Sequence, residues 1–253
     1  MHGGARLNFF AIDTLSVPSG LAAELLWSQA KYVNLCIRTI LNEYKARRKH
    51  SSPSSVIILA HSMGGMAARA VPLVPNYLIG SIGAIITLNT PHSAPPYSGD
   101  GHLEEFYSRV NGVWGKETSW LDESIGDQPE TTASRRERGE GNGRGGGERG
   151  RERRGERGGE IGGERGGGGL LHNIVIASIA GGSRDHVVRG DLTSLKFLSP
   201  QGRSVHAWST SLPGVWIQMD HDAIVWCGQL IAVLARAIMS MHSGSSSTTR
   251  LIE

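Results

Sequence analysis

The chain has 253 residues, of which 39% are apolar, and a formal net charge of +3. This length and apolar content fit a globular chain of one α/β domain with a sizeable core. The basic excess would point to a nucleic-acid or membrane-surface partner only if it were spread over the folded part.

The basic excess is confined to one low-complexity segment. Between residues 135 and 169 the chain has 16 Gly, 10 Arg and 7 Glu among 35 residues, which leaves the remainder formally neutral. Such a composition cannot bury enough apolar surface to offset its ordering entropy, so we expect a disordered insert within 120–170. Arg/Gly segments that bind RNA usually carry aromatic residues for stacking, and this one has none. We therefore expect no nucleic-acid partner.

The predicted elements alternate between strands and helices. Before the insert they are a strand over 7–12, an amphipathic helix from about 21 to 45, a strand from 56, a second amphipathic helix after Ser62, a strand over 82–88 and a helix over 103–113. After it come strands over 173–180 and around 204–210, a last helix, and a flexible tail over 243–253. This order predicts a mostly parallel sheet with helices on both faces, in one domain over residues 1–242.

The stretch from Val56 to Gly65 is typical of a nucleophile elbow, in which an apolar strand runs into a serine and then into a helix. The strand and the helix approach closely there, so we expect the positions two residues either side of Ser62 to need small side chains. Gly64 meets this requirement, and Ala60 adds one methyl group. Ser62 is the candidate nucleophile, and an ordinary structural turn is the alternative.

The candidate acid follows the strand over 173–180. Asp185 stands in a glycine-rich turn, where an α/β-hydrolase places the carboxylate that orients its histidine. Asp191 is the runner-up, and a loop aspartate that only forms an Asx turn is the non-catalytic alternative.

The candidate base is His221, which precedes the last helix. Among the other histidines after the acid, His186 directly follows Asp185, His206 lies in a predicted strand and His242 lies in the tail. A loop ahead of the last helix is where this fold class carries its catalytic imidazole. A surface or capping role is the alternative for His221, and Asp222 is the expected N-cap of that helix.

The oxyanion hole needs two backbone N–H groups, one of which we assign to Met63, the residue after the nucleophile. The second should come from a loop after an earlier strand. His2-Gly3-Gly4 invites comparison with the HGGG motif, but no strand precedes it. We expect His92 to hold the loop after the strand over 82–88 rather than to join the triad.

The remaining sequence signals concern thiols and membranes. Cys36 and Cys227 lie in apolar helical contexts, so we expect buried thiols, with a disulfide as the alternative. The N-terminus has no apolar core of a signal peptide, and no run reaches the roughly 18 to 20 apolar residues that span a bilayer.

Together these motifs resemble the eukaryotic GPI inositol-deacylases, a lipase-type branch of the α/β-hydrolases. The resemblance rests on Asn8-Phe9-Phe10-Ala11-Ile12-Asp13, His61-Ser62-Met63-Gly64-Gly65-Met66-Ala67-Ala68-Arg69-Ala70, Thr87-Leu88-Asn89-Thr90-Pro91-His92, Ala180-Gly181-Gly182-Ser183-Arg184-Asp185 and Asp220-His221-Asp222-Ala223-Ile224-Val225-Trp226-Cys227. The last three motifs in this order are far more specific than the first two, which fit many lipases.

The resemblance implies hydrolysis of the fatty acyl ester on the inositol ring of GPI anchors, at the endoplasmic reticulum membrane and without a cofactor. Ser62 would attack the ester, His221 would move the proton and Asp185 would orient His221. GPI-anchored proteins or the GPI lipid would be the substrate. We expect the chain to be truncated at both ends relative to that family, without its membrane segments and the loop of the second oxyanion donor. Another lipase, esterase or acyltransferase of this fold, and an inactive remnant or interaction protein, are the alternatives.

Overall fold

The computed structural model describes residues 7–14, 20, 22–47, 52–97, 99–119, 169–171, 173–198 and 203–243. Its helices and strands are α1 Ala23–Arg47, β1 Val56–His61, α2 Met63–Ala70, β2 Ile82–Leu88, α3 Gly101–Ser119, β3 Val175–Ala180, β4 Ser204–Trp208 and α4 Gly228–Ser243. Short 3₁₀ helices cover Val71–Leu73, Gly190–Thr193, Ser209–Ser211 and Ala223–Val225. Nearly all of the predicted insert and tail lies outside the described residues.

The strands form one sheet in the order β1-β2-β3-β4, and every neighbouring pair is parallel. In this register Leu88 of β2 lies opposite His61 of β1 and Ile179 of β3. The carboxyl ends of β1, β2 and β3 therefore meet at one edge of the sheet, and the loops that leave them start side by side. The predicted α/β architecture is confirmed.

Two apolar clusters cover the two faces of the sheet. Successive residues of a strand point to opposite faces, and Ile85 belongs to one cluster while Ile86 belongs to the other. The larger cluster takes in α1, α2 and α3, whereas the smaller one includes Leu230 and Leu234 of α4. The helices thus lie on both sides of the strands, as a parallel sheet requires.

Helix α1 keeps the predicted apolar stripe, with Leu26, Ala30, Ile37 and Leu41 buried. Helix α2 is different, because seven of its eight residues are buried and only Gly64 is not. The expectation of an amphipathic helix after Ser62 is therefore wrong for the Met63–Ala70 segment. An all-round buried helix has no polar face, and its one charged side chain, Arg69, is fully buried.

The predicted strand over 7–12 is not a strand in the structure. Residues 7–14 have no regular secondary structure, and the side chains of Phe9, Phe10 and Ile12 are exposed. A strand is stabilised by hydrogen bonds to a neighbour, and among the described residues β1 pairs only with β2. The apolar pattern of this segment predicted a strand but could not show whether a neighbouring strand is there to pair with it.

Both cysteines are free and half-buried, so neither the predicted full burial nor the alternative disulfide is correct. The two residues lie on α1 and directly before α4, and the Cys227 thiol donates to Gln229 Oε1 at 3.4 Å. None of the helices in the described part of the chain combines the length and the apolar character needed to cross a bilayer.

Candidate active site

Ser62 stands between β1 and α2 in an unusual backbone conformation, with φ 54° and ψ −135°. Three hydrogen bonds hold its peptide groups. The N–H of Ser62 donates to Leu88 O at 2.9 Å, and its carbonyl accepts from Thr90 Oγ1 at 2.8 Å and from Gly65 N at 3.0 Å. A non-glycine residue at positive φ carries strain that its surroundings must offset. This is the sharp turn that the sequence predicted.

The small-residue requirement of the turn falls on a position other than the predicted one. A Cβ added to Gly64 would meet open space, whereas one added to Gly65 would lie 2.2 Å from Thr90 Oγ1. Close approach between α2 and the loop after β2 therefore requires glycine at 65 rather than at 64. The extra methyl of Ala60 packs against the larger apolar cluster.

His221 lies between the other two predicted site residues. Its Nε2 is 2.8 Å from Ser62 Oγ, and its Nδ1 is 2.9 Å from Asp185 Oδ2. A carboxylate oxygen can only accept, so Nδ1 carries a proton and Nε2 of the neutral ring is free to accept the hydroxyl proton of Ser62. The structure brings the three residues together in the order of a serine-hydrolase triad.

The Asp185 carboxylate divides its two oxygens between two tasks. Oδ1 accepts the backbone N–H groups of Val187 at 2.9 Å and Val188 at 2.8 Å, and Oδ2 faces His221. The residue is buried, with 6% of its surface exposed. The Asx-type turn raised as the alternative for Asp185 is therefore present together with the contact to His221.

The runner-up acid and the other histidines lie away from this arrangement. Asp191 is exposed and forms a two-pronged ion pair with Arg189, whose guanidinium lowers the pKa of that carboxyl. His186 is exposed, and His206 of β4 bonds to Thr193 Oγ1 at 2.8 Å. His242, predicted in the tail, belongs to the last turn of α4.

His61 and Asn89, which lie outside the predicted site, contact the main-chain carbonyl of His221. His61 Nε2 lies 2.7 Å from this oxygen, and its ring is tilted by 46° to the His221 ring, with the centroids 4.7 Å apart. Burial lowers the pKa of His61, and because a carbonyl oxygen can only accept, Nε2 of this ring carries a proton and donates. Asn89 Nδ2 donates to the same carbonyl at 3.4 Å.

Comparisons with known proteins show the family of the chain. Residues 1–241 match the family model described as a PGAP1-like alpha/beta domain. The chain belongs to the PGAP1-like family. It is 31% identical over 248 residues to the GPI inositol-deacylase of Neurospora crassa, covering 95% of this chain and 16% of that protein. It is 32% identical over 241 residues to the GPI inositol-deacylase of Debaryomyces hansenii, covering 94% of this chain and 20% of that protein.

A third relative, the GPI inositol-deacylase of Schizosaccharomyces pombe, is 30% identical over 249 residues, with 95% of this chain and 18% of that protein covered. The chain thus spans about a fifth or less of the length of these three relatives. The predicted resemblance to the GPI inositol-deacylases is confirmed, and this PGAP1-like chain belongs with a family of hydrolases.

The loop after β2 of this PGAP1-like chain is fixed by a buried polar cluster. Thr87 Oγ1 donates to Ala177 O at 3.2 Å, so it accepts the Nε2–H of His92, 2.8 Å away. The guanidinium of Arg69 donates to the carbonyl of His92 at 3.3 Å. Burial, with the Arg69 charge beside it, holds the pKa of His92 well below its usual value. His92 therefore holds this loop, as predicted from the sequence, and stays outside the candidate triad.

The oxyanion hole stays a prediction. Met63 is the first residue of α2, and the first N–H groups of an α-helix have no intrahelical partner, so this donor suits the assigned role. The buried Met63 side chain is anchored by the Tyr107 hydroxyl, 3.6 Å from its sulfur. The compared motif His2-Gly3-Gly4 lies outside the described residues.

The cap after His221 differs from the predicted one. Asp222 makes no side-chain capping bond, whereas Asp220 Oδ1 accepts the N–H groups of Asp222 at 3.1 Å and Ala223 at 2.6 Å. The segment after it is a 3₁₀ turn, and α4 starts only at Gly228. The described residues hold no cluster of three or more histidine, cysteine or acidic side chains suited to a metal ion.

Proposed function

We propose that the chain is the catalytic core of a serine hydrolase that removes the fatty acyl group from the inositol ring of GPI anchors. The observation that supports this most is the hydrogen-bond chain from Ser62 Oγ through the His221 ring to Asp185 Oδ2. Membership of the PGAP1-like family and the relatives named GPI inositol-deacylase support the choice of substrate.

In the proposed acylation step, Ser62 Oγ attacks the ester carbonyl and His221 Nε2 takes the hydroxyl proton. The negative charge on the tetrahedral oxygen is stabilised by the Met63 N–H. His221 then gives its proton to the inositol oxygen, which leaves as an alcohol while the acyl group stays on Ser62. Asp185 holds Nδ1–H and stabilises the imidazolium that exists between these two transfers.

In the proposed deacylation step, a water molecule attacks the acyl ester of Ser62 while His221 Nε2 accepts the water proton. The same nitrogen returns this proton to Ser62 Oγ as the fatty acid leaves. The ester bond is thus exchanged for a carboxylic acid and an alcohol, and the chain's residues end as they began. No cofactor takes part, and the substrate is a GPI-anchored protein or the GPI lipid at the endoplasmic reticulum membrane.

A fluorophosphonate probe tests the nucleophile, because it reacts covalently with an activated serine. We expect labelling of the chain, loss of labelling in Ser62→Ala, and unchanged labelling in the control Ser211→Ala, which alters an exposed serine on the 3₁₀ turn after β4. Labelling that persists in Ser62→Ala would overturn the nucleophile assignment. An unlabelled wild-type chain of normal fold would favour an inactive remnant.

A panel of esters tests the substrate class. The chain and Ser62→Ala are compared on an acylated inositol phospholipid in vesicles and on short-chain soluble esters. Ser62-dependent release of fatty acid from the inositol-linked ester supports the proposal. A preference for the short soluble esters contradicts it and assigns the chain to another esterase of this fold.

A further inference from the structure

We propose that Asn89 is a positioning residue for this reaction, which ties the loop that carries Asp185 to the loop that carries His221. The inference rests on the proposed function, because it concerns the same triad. Asn89 follows β2 directly and is buried, with 1% of its surface exposed. The carboxyl end of β2 lies between those of β1 and β3, which places Asn89 between the turn at Ser62 and the start of the loop that leads to Asp185.

Both ends of the Asn89 amide are used. Its Oδ1 accepts the backbone N–H of Gly181 at 2.6 Å, at the start of the loop that leads to Asp185. Its Nδ2 donates to the carbonyls of Asp220 at 3.3 Å and His221 at 3.4 Å. The Gly181 N–H can only donate and the two carbonyls can only accept, which fixes the orientation of the amide. A carboxylate or an apolar side chain of this size cannot make both sets of bonds.

The two loops that Asn89 joins approach each other closely at Gly181 and Met219. A Cβ added to Gly181 would lie 2.6 Å from Met219 O and 3.1 Å from both polar atoms of the Asn89 amide. Met219 N also donates to Gly181 O at 2.7 Å. The distance between the acid loop and the histidine loop is therefore set at one point, where Gly181, Met219 and Asn89 meet.

The backbone of this position favours asparagine as well. Asn89 has φ 47°, in the left-handed region that asparagine, aspartate and glycine tolerate best. Its N–H donates to Ile179 O at 2.9 Å, which extends the β2–β3 pairing by one bond. Asn89→Asp and Asn89→Gly can therefore keep this backbone while they change the side chain, so loss of folding need not obscure the result.

Two variants separate the two sets of bonds. Asn89→Asp keeps an acceptor for Gly181 N–H but turns an oxygen toward the carbonyls of Asp220 and His221. Asn89→Gly deletes both sets. Because a displacement of about 1 Å at a reacting group costs on the order of 100-fold in rate, we expect the second-order rate of fluorophosphonate labelling to fall by roughly 10- to 100-fold in both.

The matched control is Ser178→Ala, which deletes a buried hydrogen bond of β3, from Ser178 Oγ to Thr193 O at 2.8 Å, and leaves every bond of Asn89 in place. Its thermal midpoint should fall as those of the Asn89 variants do, while labelling stays within about twofold of wild type. The second readout does not need catalysis. The proton between His221 Nδ1 and Asp185 gives a low-field proton NMR resonance, assigned by its loss in Asp185→Ala, and its exchange with solvent reports how firmly the pair is held.

The proposal is supported if both Asn89 variants speed the exchange of this proton or lose its resonance, while Ser178→Ala keeps it. It is overturned if the Asn89 variants keep the resonance and its exchange rate, or change them only as Ser178→Ala does. If the wild-type chain is not labelled at Ser62, the proposed function fails, and the NMR comparison alone decides the role of Asn89.

Discussion

The two oxygens of Asp185 have different partners, and this makes the effect of an amide at this position predictable. In Asp185→Asn the amide oxygen must face the N–H groups of Val187 and Val188, so the NH₂ group faces His221. Nδ1 then has to accept, the ring proton moves to Nε2, and Nε2 can no longer take the Ser62 proton. We expect labelling of Ser62 to slow by about 10⁴-fold with little change in the thermal midpoint.

The control for this change is Asp191→Asn, on the exposed runner-up acid, which should label at the wild-type rate. A rate for Asp185→Asn within tenfold of wild type would show that the carboxylate does not set the tautomer of His221.

The buried histidine His92 makes stability depend on pH. Its pKa is lowered by burial, so the unfolded chain binds a proton that the folded chain does not, and stability falls as pH drops below the unfolded value of about 6.5. The contribution is complete above that value and is lost toward the lower pKa of the folded state. We expect urea unfolding to show a slope of up to about 1.4 kcal/mol per pH unit from this residue.

The matching experiment compares urea midpoints at pH 7 and pH 5. His92→Gln keeps a side-chain donor and acceptor without the titration, so its stability should be lower at pH 7 but change less between the two values. His102→Gln, on the exposed start of α3, should retain the wild-type slope. Equal slopes in all three chains would exclude His92 as the cause.

At the scale of elements, the closest contact at the site is between α2 and the loop after β2. Gly65→Ala places a methyl group 2.2 Å from Thr90 Oγ1, whose hydrogen bond holds the Ser62 carbonyl. Overpacking of this kind costs about 1–3 kcal/mol, and we expect the free energy of unfolding to fall by that amount. Labelling of Ser62 should slow as well, because the turn is displaced.

Gly64→Ala is the control on the same helix, since its methyl group meets open space. Alanine favours a helix over glycine by about 1 kcal/mol, so this variant should unfold at a higher urea concentration than wild type. If both substitutions changed stability alike, the contact with Thr90 would not be the cause.

The sequence predicted those parts of the fold and site that depend on local order along the chain. The triad candidates Ser62, Asp185 and His221 each follow a strand or precede the last helix, and the parallel sheet brings these places together. The roles of His61 and Asn89 could not be read in the same way. Both contact the His221 carbonyl, from which His61 is 160 positions and Asn89 is 132 positions away along the chain. Only the tertiary structure shows that they share this partner.

Patterns of apolar residues misled the prediction where burial depends on a neighbour. Residues 7–12 have the apolar pattern of a strand, but they have no regular structure and pair with none of the described strands. Helix α2 shows the opposite case, because the spacing of Met66, Ala67 and Ala70 suggested one apolar face, whereas the surrounding elements bury nearly all of the helix. A polar residue directly after a buried strand, such as Asn89, is a sequence signal that could have marked this position as part of the candidate site.

At the scale of the molecule, all of the described contacts of the triad come from two stretches, 61–90 and 181–221. Replacing residues 120–168 by a flexible linker should therefore leave Ser62 labelling within about twofold of wild type. Labelling rates and thermal midpoints of the two chains check this. A loss of labelling with a normal midpoint would assign the segment a part in the site.

The backbone conformation of Ser62 also bears on the stability of the chain. Strain at positive φ costs on the order of 1–3 kcal/mol, and glycine avoids most of it at an entropic cost of roughly 0.5–1 kcal/mol. Ser62→Gly should thus unfold at a temperature equal to or above that of the wild type, and the fluorophosphonate probe should not label it. Stability and the proposed reaction thus make opposite demands on position 62, and a chain selected for stability alone would carry glycine there.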